Sequence, residues 1–533
     1  MPANSFTQLQ YLSDKHWVNN NYNGYINDNW HISQRLILNL GVRYDGMPHA
    51  FERYDQFANF VPAFYNTSLG NPVTAAGTLD PTKLTTFSCS TTRCQTNGEQ
   101  FYMNGLAEAG VNGFPRGNVT NRYFTWQPRI GFTYDVSGNG RTVLRGGVGM
   151  FYERVQGNDV YNAALNPPFA YQPSANNVMF SNPFTSALTG ATTSQSFPSG
   201  MTTIKYNYPP PGTADYSLGI QHQLMPSVIA VVQYVGSTGW DQNDDRPINA
   251  LPLSDLTDRQ KVAGGTGANP YRTFPGYAGI TQEENETNFN YNSLQAGLRM
   301  ENKHGLTTQL SYTWSHNIDI GQNDLAGLTA PWNAKYDKGS DAGYDRRHIF
   351  NASYVYDLPF FQKSSNLAAR EIIGGWSVSG ITTLETGTPI SIGLSGVDTV
   401  GLGSGGNRPD LVSPVVYLNP KASIGGYGHY FSKASFATPA TAWSGLSTTN
   451  GYGTARKDTV HLPPWDLWNL SLFKTIPLTP GEGTKLELRF ESFNTFNHTI
   501  FTGLDTSSGD GNFGSVTGDF AQRVLELGGK ITF

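Results

Sequence analysis

The chain has 533 residues, of which 13% are aromatic and only 14% are charged, and its formal net charge is −5. Soluble domains carry about 25% charged residues and disordered chains are poor in aromatics, so the composition argues against both classes. No run approaches the ~20 consecutive apolar residues of a membrane-spanning helix, and no basic stripe predicts nucleic-acid binding. A membrane protein of this composition is expected to be a β-barrel.

The amino terminus, Met1–Gln8, has neither a basic region nor an apolar core, so it does not have the pattern of a signal peptide. A secreted barrel needs such a signal. We therefore expect either a cytosolic chain or the downstream part of a longer protein.

Alternating apolar and polar residues predict antiparallel strands along the whole chain. Leu38 and Leu40, for example, alternate with Asn39 and Arg43, so one face of the strand suits lipid and the other does not. The predicted strands, in chain order, are Tyr22–Ile32, Arg35–Asp45, Arg122–Asp135, Arg141–Tyr152, Asp215–Leu224, Val228–Val235, Tyr291–Glu301, Leu306–Ser315, His348–Leu358, Trp376–Thr386, Trp465–Ile476, Leu486–Phe493 and Arg523–Phe533.

The last predicted strand has the clearest pattern. Leu525, Leu527, Ile531 and Phe533 share one face, and polar residues or glycine occupy most of the other. A half-buried strand of a soluble sheet alternates in the same way, so the fold class depends on the rest of the chain.

The connections between strands alternate in length. Short ones include Ser137–Gly140, whose glycine and asparagine residues tolerate positive φ. Outer-membrane barrels combine short periplasmic turns with long extracellular loops. Thirteen strands is an odd number where bacterial barrels have an even one, so we expect upstream strands to be missing. The long connections cover residues 46–121, 154–213, 236–288, 316–347 and 387–464.

Tyr25–Trp30 with Leu38–Asp45 resembles the strand pair found in many TonB-dependent outer-membrane transporters. Four segments and the chain end, namely Tyr344–Phe350, Gly374–Gly380 with Thr386–Ile390, Asn494–His498 and the terminal Phe533, are similar to the Oar-like branch of that family. The resemblance covers essentially the whole chain, and it depends on the order and spacing of the motifs.

The resemblance implies a 22-stranded antiparallel barrel in the outer membrane, closed by an amino-terminal plug, that imports a large or scarce ligand. Residues 1–533 correspond to part of that barrel domain, without the plug or the segment that contacts TonB. The implied partners are outer-membrane lipid, the barrel assembly machinery, an unidentified ligand and, through the missing region only, TonB.

Two other functions fit the same pattern. A passive porin-like channel needs an open lumen and no plug, and a surface adhesin or structural barrel depends on its long loops. The chain has no Gly-x-Ser-x-Gly or His-Glu-x-x-His motif, so we do not expect an enzyme.

Few residues are candidates for specific roles. Cys89 and Cys94 predict a local disulfide in an extracellular loop, with free thiols or metal binding as the alternatives. Arg346 and its neighbours suit charge pairing in the lumen, or an anionic ligand. Phe533 is expected to be an assembly signal or an anchoring aromatic. No metal, cofactor or catalytic residue is predicted. Interfacial aromatic girdles are expected from Tyr44, Trp126, Tyr152, Tyr312, Trp314 and Trp376.

Overall fold

A computed structural model of the chain provides the architecture. Its described part contains most of each predicted strand and of each long connection. It covers residues 2–7, 10–11, 15–80, 82–83, 104–120, 124–167, 169–171, 174–181, 198–321, 326–341, 343–362, 364–403, 406–422, 428–478, 483–520 and 522–533.

One antiparallel sheet dominates the fold, and its main path has thirteen strands in chain order. Each strand pairs with the next one along the chain, so the sheet is a meander of hairpins. The strands are β1 (Tyr22–His31), β2 (Leu36–Gly46), β3 (Phe124–Asp135), β4 (Thr142–Tyr152), β5 (Gly212–Met225), β6 (Val228–Pro247), β7 (Ile280–Lys303), β8 (Leu306–Asp319), β9 (His348–Asp357), β10 (Trp376–Glu385), β11 (Trp465–Pro477), β12 (Lys485–Phe493) and β13 (Val524–Thr532).

The two outer strands of this sheet each have one partner among the described residues. Strand β1 pairs with β2, and β13 pairs with β12. No pairing joins β1 to β13 within the described ranges. The sheet therefore has two free edges in the part of the chain that the structure describes.

The register keeps the apolar residues of neighbouring strands on one face. From β1 to β8, one residue on each strand belongs to a continuous row of Cα partners. Seven of these eight residues have large, apolar side chains. A one-residue slip would move every strand's apolar set to the other face, so this face fixes the register. The row is Trp30, Leu38, Phe132, Gly146, Leu218, Tyr234, Leu294 and Trp314.

All thirteen predicted strands are confirmed, but several of their bounds differ from the prediction, and the two largest differences are in β6 and β7. The expected strand ends at Val235 and Tyr291 lie inside longer strands, because β6 continues to Pro247 and β7 begins at Ile280. These extensions are mostly polar, and the register shifts between Gly239 and Asn243. Irregular register breaks the two-residue period on which the prediction depended.

The long connections have more structure than the sequence suggested, and residues 494–523 form a further one. They contain α-helices at Gly157–Asn162 and Leu256–Ala263, and 3₁₀-helices at Pro62–Phe64, Thr67–Leu69, Val111–Gly113, Ala163–Leu165, Asn269–Tyr271, Ala334–Asp337, Pro420–Ala422 and Lys433–Ser435. Their short strands are Phe51–Glu52, Ala58–Phe60, Leu106–Glu108, Ala170–Tyr171, Ser174–Met179, Met201–Ile204, Gly339–Ser340, Pro389–Ile390, Gly393–Leu394, Asp410–Leu411, Phe436–Ala437, Val460–His461, Phe501–Leu504, Ser507–Ser508 and Val516–Asp519. A π-helix at Ala369–Ile373 lies between β9 and β10, and the short strands Pro2–Thr7, Gln10–Tyr11 and Trp17–Val18 precede β1.

The hydrophobic cores of the molecule lie mainly in these connections. One core joins Phe57 of the first long connection to Val160 and Tyr208 of the second, and another surrounds Phe431 and Phe513. The apolar face of the sheet, by contrast, is largely exposed, as at Trp314 and Leu527. The loops therefore pack into a cap, while the sheet keeps an apolar surface without a protein partner. Among the described residues, no helix has the length and apolar character needed to cross a membrane.

Candidate functional site

The face of the sheet opposite the apolar residues is polar and carries small side chains; we call it the polar face. Two cavities, of about 710 and 750 Å³, are lined mostly by its residues. Small and amide side chains leave open space beside the sheet and offer donors and acceptors to a solute. A row of Cα partners on this face runs through Asn29, Asn39, Gly131, Gly147, Ser217, Val235, Ser293 and Ser315.

Several charges on the polar face occur as pairs. Arg43 Nε lies 2.8 Å from Asp45 Oδ2, and Gln127 Nε2 donates to the same carboxylate. Arg299 Nη2 lies 2.6 Å from Glu301 Oε1. Such pairs reduce the net field along the wall, which therefore suits passage of polar molecules more than tight binding of one ion.

Charge pairing at Arg346 and Arg347 is confirmed. Arg346 Nη1 lies 2.8 Å from Glu385 Oε2, and Arg347 Nε lies 3.8 Å from Asp345. His316 also contacts Asp345, at 3.2 Å. Both arginines are thus committed to carboxylates of the protein, which weakens the alternative of an anion site.

The polar face ends in a small acidic pocket of about 380 Å³ at the loop side of the sheet. Glu153, Asp319 and Asp341 line it together with amide side chains, and no lysine or arginine does. Asp319 is buried and pairs with Lys457, and Asp341 accepts a hydrogen bond from Gly343 N at 2.6 Å. Two of the three carboxylates therefore have partners within the fold.

A second loop cavity, which we call the basic aromatic pocket, has a volume of about 750 Å³. The charge of its lining is opposite to that of the acidic pocket. It lies between loops 320–347 and 387–464, beside the end of β8. Its lining combines aromatic rings with cationic side chains, and no aspartate or glutamate belongs to it. The principal residues are Trp332, Lys335, Tyr336, Lys338, Tyr452 and Arg456.

Two buried arginines shape the walls of the basic aromatic pocket. Arg259 donates to the carbonyls of Leu253, Val400 and Asn450 at 2.7 to 3.0 Å. Arg408 forms a 2.8 Å ion pair with Asp337, and its guanidinium lies 3.8 Å from the ring centroid of Tyr336. These contacts fix segments that are distant in sequence, so the pocket is organised before any ligand arrives.

The predictions made for individual residues from the sequence differ in what the structure says about them. Cys89 and Cys94 lie outside the described residues, so their disulfide stays a prediction. Phe533 follows β13 directly and is 93% exposed, without a contact that would assign its role. Tyr44 packs on Trp126 with ring centroids 4.8 Å apart, and the girdle stays a prediction. Within the described ranges, no group of three or more His, Cys, Asp or Glu side chains is arranged to hold a metal ion.

Sequence reasoning missed the basic aromatic pocket. Its residues come from loops about a hundred positions apart, and the long-range packing that joins them leaves no local period. A weak signal exists at residues 332–338, where an aromatic–lysine alternation includes Trp332, Lys335, Tyr336 and Lys338.

Comparison with known proteins gives low sequence identity throughout. The outer-membrane transporter YddB from Escherichia coli is 11% identical, with a TM-score of 0.45, over 95% of this chain and 44% of that one. The ferripyoverdine receptor of Pseudomonas aeruginosa is 9% identical, with a TM-score of 0.42, over 97% and 39% of the two chains. The siderophore receptor PiuA from Acinetobacter baumannii is 10% identical, with a TM-score of 0.40, over 96% and 43%. The chain spans less than half the length of these proteins, and no curated protein matches it.

The family assignment comes from a family model that describes the outer-membrane β-barrel domain. The match extends over residues 2–526, which includes twelve of the strands and the first residues of β13. The antiparallel meander, its lipid-compatible face and its polar face agree with that description. The chain therefore belongs to the outer-membrane β-barrel domain family, and its location is the bacterial outer membrane.

Proposed function

We propose that the chain is part of the barrel of a TonB-dependent transporter that takes up a ligand across the outer membrane. The observation that carries this proposal is the polar face, where small side chains and paired charges border cavities of about 710 and 750 Å³. Such a wall lets a large polar solute pass without binding it tightly. The TonB dependence follows from the resemblance of the motifs at Tyr344–Phe350 and Gly374–Gly380 to Oar-like transporters.

The free edges of β1 and β13 support a barrel with more strands than these thirteen. Each unsatisfied backbone group in lipid costs several kcal/mol, so an open sheet edge is not stable there. Additional strands would close the barrel, and a plug region would provide the contact with TonB. Insertion through the barrel assembly machinery belongs to the same proposal.

Growth of the native host on a panel of nutrient sources tests the proposal. Strains lacking this gene, or lacking TonB, are compared with the parent, and the full-length protein that contains this barrel region and its plug is purified from the host and placed in planar bilayers in potassium chloride. We expect both mutant strains to fail on the same nutrient and the protein to show little steady conductance. Restoring the gene should restore growth only when TonB is present.

Two results would favour the other functions. Steady conductance, together with growth that persists without TonB, would identify a passive channel and overturn the proposal. Lost cell contact with unchanged growth on every nutrient would identify an adhesin or structural barrel.

A further inference from the structure

The lining of the basic aromatic pocket is positively charged, although the chain as a whole is negative. The chain carries a formal net charge of −5, yet three cationic side chains and no carboxylate line this cavity. Arg456 is committed to Asp458, with Nε 3.2 Å from Oδ1. Lys335 and Lys338 are exposed, and in the part of the chain that the structure describes neither ammonium has an ion pair or hydrogen bond. Two positive charges therefore stand unneutralised at one cavity.

The nearby carboxylates do not neutralise these lysines. Asp337 is buried and paired with Arg408, and its other oxygen accepts from Thr329 N at 2.7 Å. Asp458 accepts from Ser340 N at 3.0 Å in addition to Arg456. A solvated surface lysine is ordinary, but two of them beside a pre-formed cavity without acidic lining favour an anionic occupant.

Aromatic rings supply the second part of the site. Tyr336 and Tyr452 have ring centroids 4.9 Å apart, and Trp332 lies 6.5 Å from Tyr452 at an interplanar angle of 76°. Trp332 is only partly buried, so part of its surface stays available to a ligand. Aromatic side chains offer a flat apolar surface against which a ring of the ligand can pack.

The position of the pocket on the sheet indicates where its ligand comes from. Ile318 lines the basic aromatic pocket, whereas Asn317 and Asp319 line the acidic pocket. Successive residues of a strand point to opposite faces, so the two pockets lie on opposite sides of the end of β8. Ile318 shares its face with Trp314, an exposed residue of the apolar face, about 13 Å away along the strand at ~3.3 Å per residue.

We propose that the basic aromatic pocket binds an anionic saccharide, with Lys335 and Lys338 holding the anionic group and Trp332 packing against a sugar ring. The phosphorylated headgroup of an outer-leaflet glycolipid and a free sugar phosphate share this chemistry. The side of the sheet favours the glycolipid. The proposal goes beyond the transport function and does not depend on TonB.

Binding of defined probes to the protein, purified in detergent from outer membranes, tests the site. The probes are lipopolysaccharide, the same material after phosphatase treatment, and glucose 6-phosphate. Lys335→Gln combined with Lys338→Gln should weaken lipopolysaccharide binding about tenfold, because two charge-assisted contacts are lost. Trp332→Leu should weaken it less. Lys421→Gln is the matched control, since this exposed lysine lies on loop 387–464, the other loop that forms the pocket, and does not line the cavity.

The outcomes separate the two sources. If phosphatase treatment abolishes lipopolysaccharide binding and glucose 6-phosphate does not compete for the pocket, the ligand is the membrane glycolipid. Competition by glucose 6-phosphate supports a soluble sugar phosphate instead. Equal binding by the double variant and the unaltered protein overturns the proposal, provided that both migrate identically on gels before and after boiling. Binding that is insensitive to phosphatase also overturns it.

Discussion

Phe490 and Arg489 are chain neighbours on opposite faces of β12. Phe490 pairs with Leu472 and Leu527 on the apolar face, whereas Arg489 contacts Glu487 and Glu491 on the polar one. A cationic side chain facing mid-bilayer lipid costs about 2 to 4 kcal/mol. Phe490→Arg should therefore reduce the yield of folded protein in outer membranes strongly, and Arg489→Gln only slightly, as measured by heat-modifiable gel migration. Equal yields would mean that Phe490 does not face lipid.

Leu488 occupies the same face as Phe490 but is a weaker test position. Its Cα partner Lys474 is buried and donates to the carbonyls of Glu371 and Gly374, in the turn region before β10. A lysine held by turn carbonyls marks the end of the strand, where the cost of a cation falls to about 0 to 1 kcal/mol. The sequence predicts the face of Leu488, whereas its depth becomes clear only from the contacts of Lys474.

Arg408 is a buried anchor of the loop cap. Arg408→Met would leave Asp337 as a buried charge without its partner, which costs about 3 to 5 kcal/mol. We expect faster amide exchange in residues 326–340, with unchanged exchange in β8. Arg456→Met is the control, because its side chain is exposed and its pair with Asp458 contributes about 0 to 1 kcal/mol. Similar exchange in the two variants would contradict the anchoring role.

His49 makes the cap sensitive to pH. Burial lowers the pKa of His49 from 6.5 to about 4, so the folded cap favours the neutral ring. A histidine with a depressed pKa contributes stability above its unfolded pKa and loses it as pH falls. The pKa difference corresponds to about 3 kcal/mol, lost between pH 6.5 and 4. The protection factors of amides around Phe57, which are corrected for the pH dependence of intrinsic exchange, should fall in that window, and His49→Phe should remove the fall. Protection factors that do not change with pH in the unaltered protein would refute this.

Among the elements, the hairpins were the most predictable because their evidence is local. Strand β2 alternates apolar and polar residues, and the turn after β3 has Gly138 at φ 72° and Gly140 at φ 73°, as its composition indicated. The cap was not predictable in this way. Asn59, for example, donates to the carbonyl of Ile204 at 2.7 Å across 145 positions of sequence. No period in either loop encodes that contact, and the basic aromatic pocket depends on similar ones.

The turn between β3 and β4 gives a test at the scale of one hairpin. Asp135 accepts from Gly138 N and Gly140 N at 2.9 and 2.8 Å, so the turn is held in place. A methyl group on Gly140 would meet no atom within 4 Å, and the cost of Gly140→Ala is therefore backbone strain at positive φ, about 1 kcal/mol. Gly24→Ala, equally uncrowded but without positive φ, should be neutral in urea unfolding. Equal urea midpoints for the two variants would exclude backbone strain at position 140.

For the whole molecule, the cap and the apolar face of the sheet bury their apolar side chains in different surroundings. The cap has its own hydrophobic cores, whereas the apolar face of the sheet has no protein to pack against and needs the bilayer. This division explains a charged fraction of only 14% without any long apolar run. It also explains why the fold class could be inferred from the sequence although the ligand could not.

The most direct test of the lipid-facing assignment is photocrosslinking in intact outer membranes with a diazirine-bearing acyl lipid, followed by mass spectrometry of β2. We expect adducts on Leu38, Leu40 and Val42 and none on Asn39 or Arg43, because the two sets alternate between lipid and the polar face. Adducts on both sets, or recovery of the protein without adducts in the soluble fraction, would contradict an outer-membrane barrel wall.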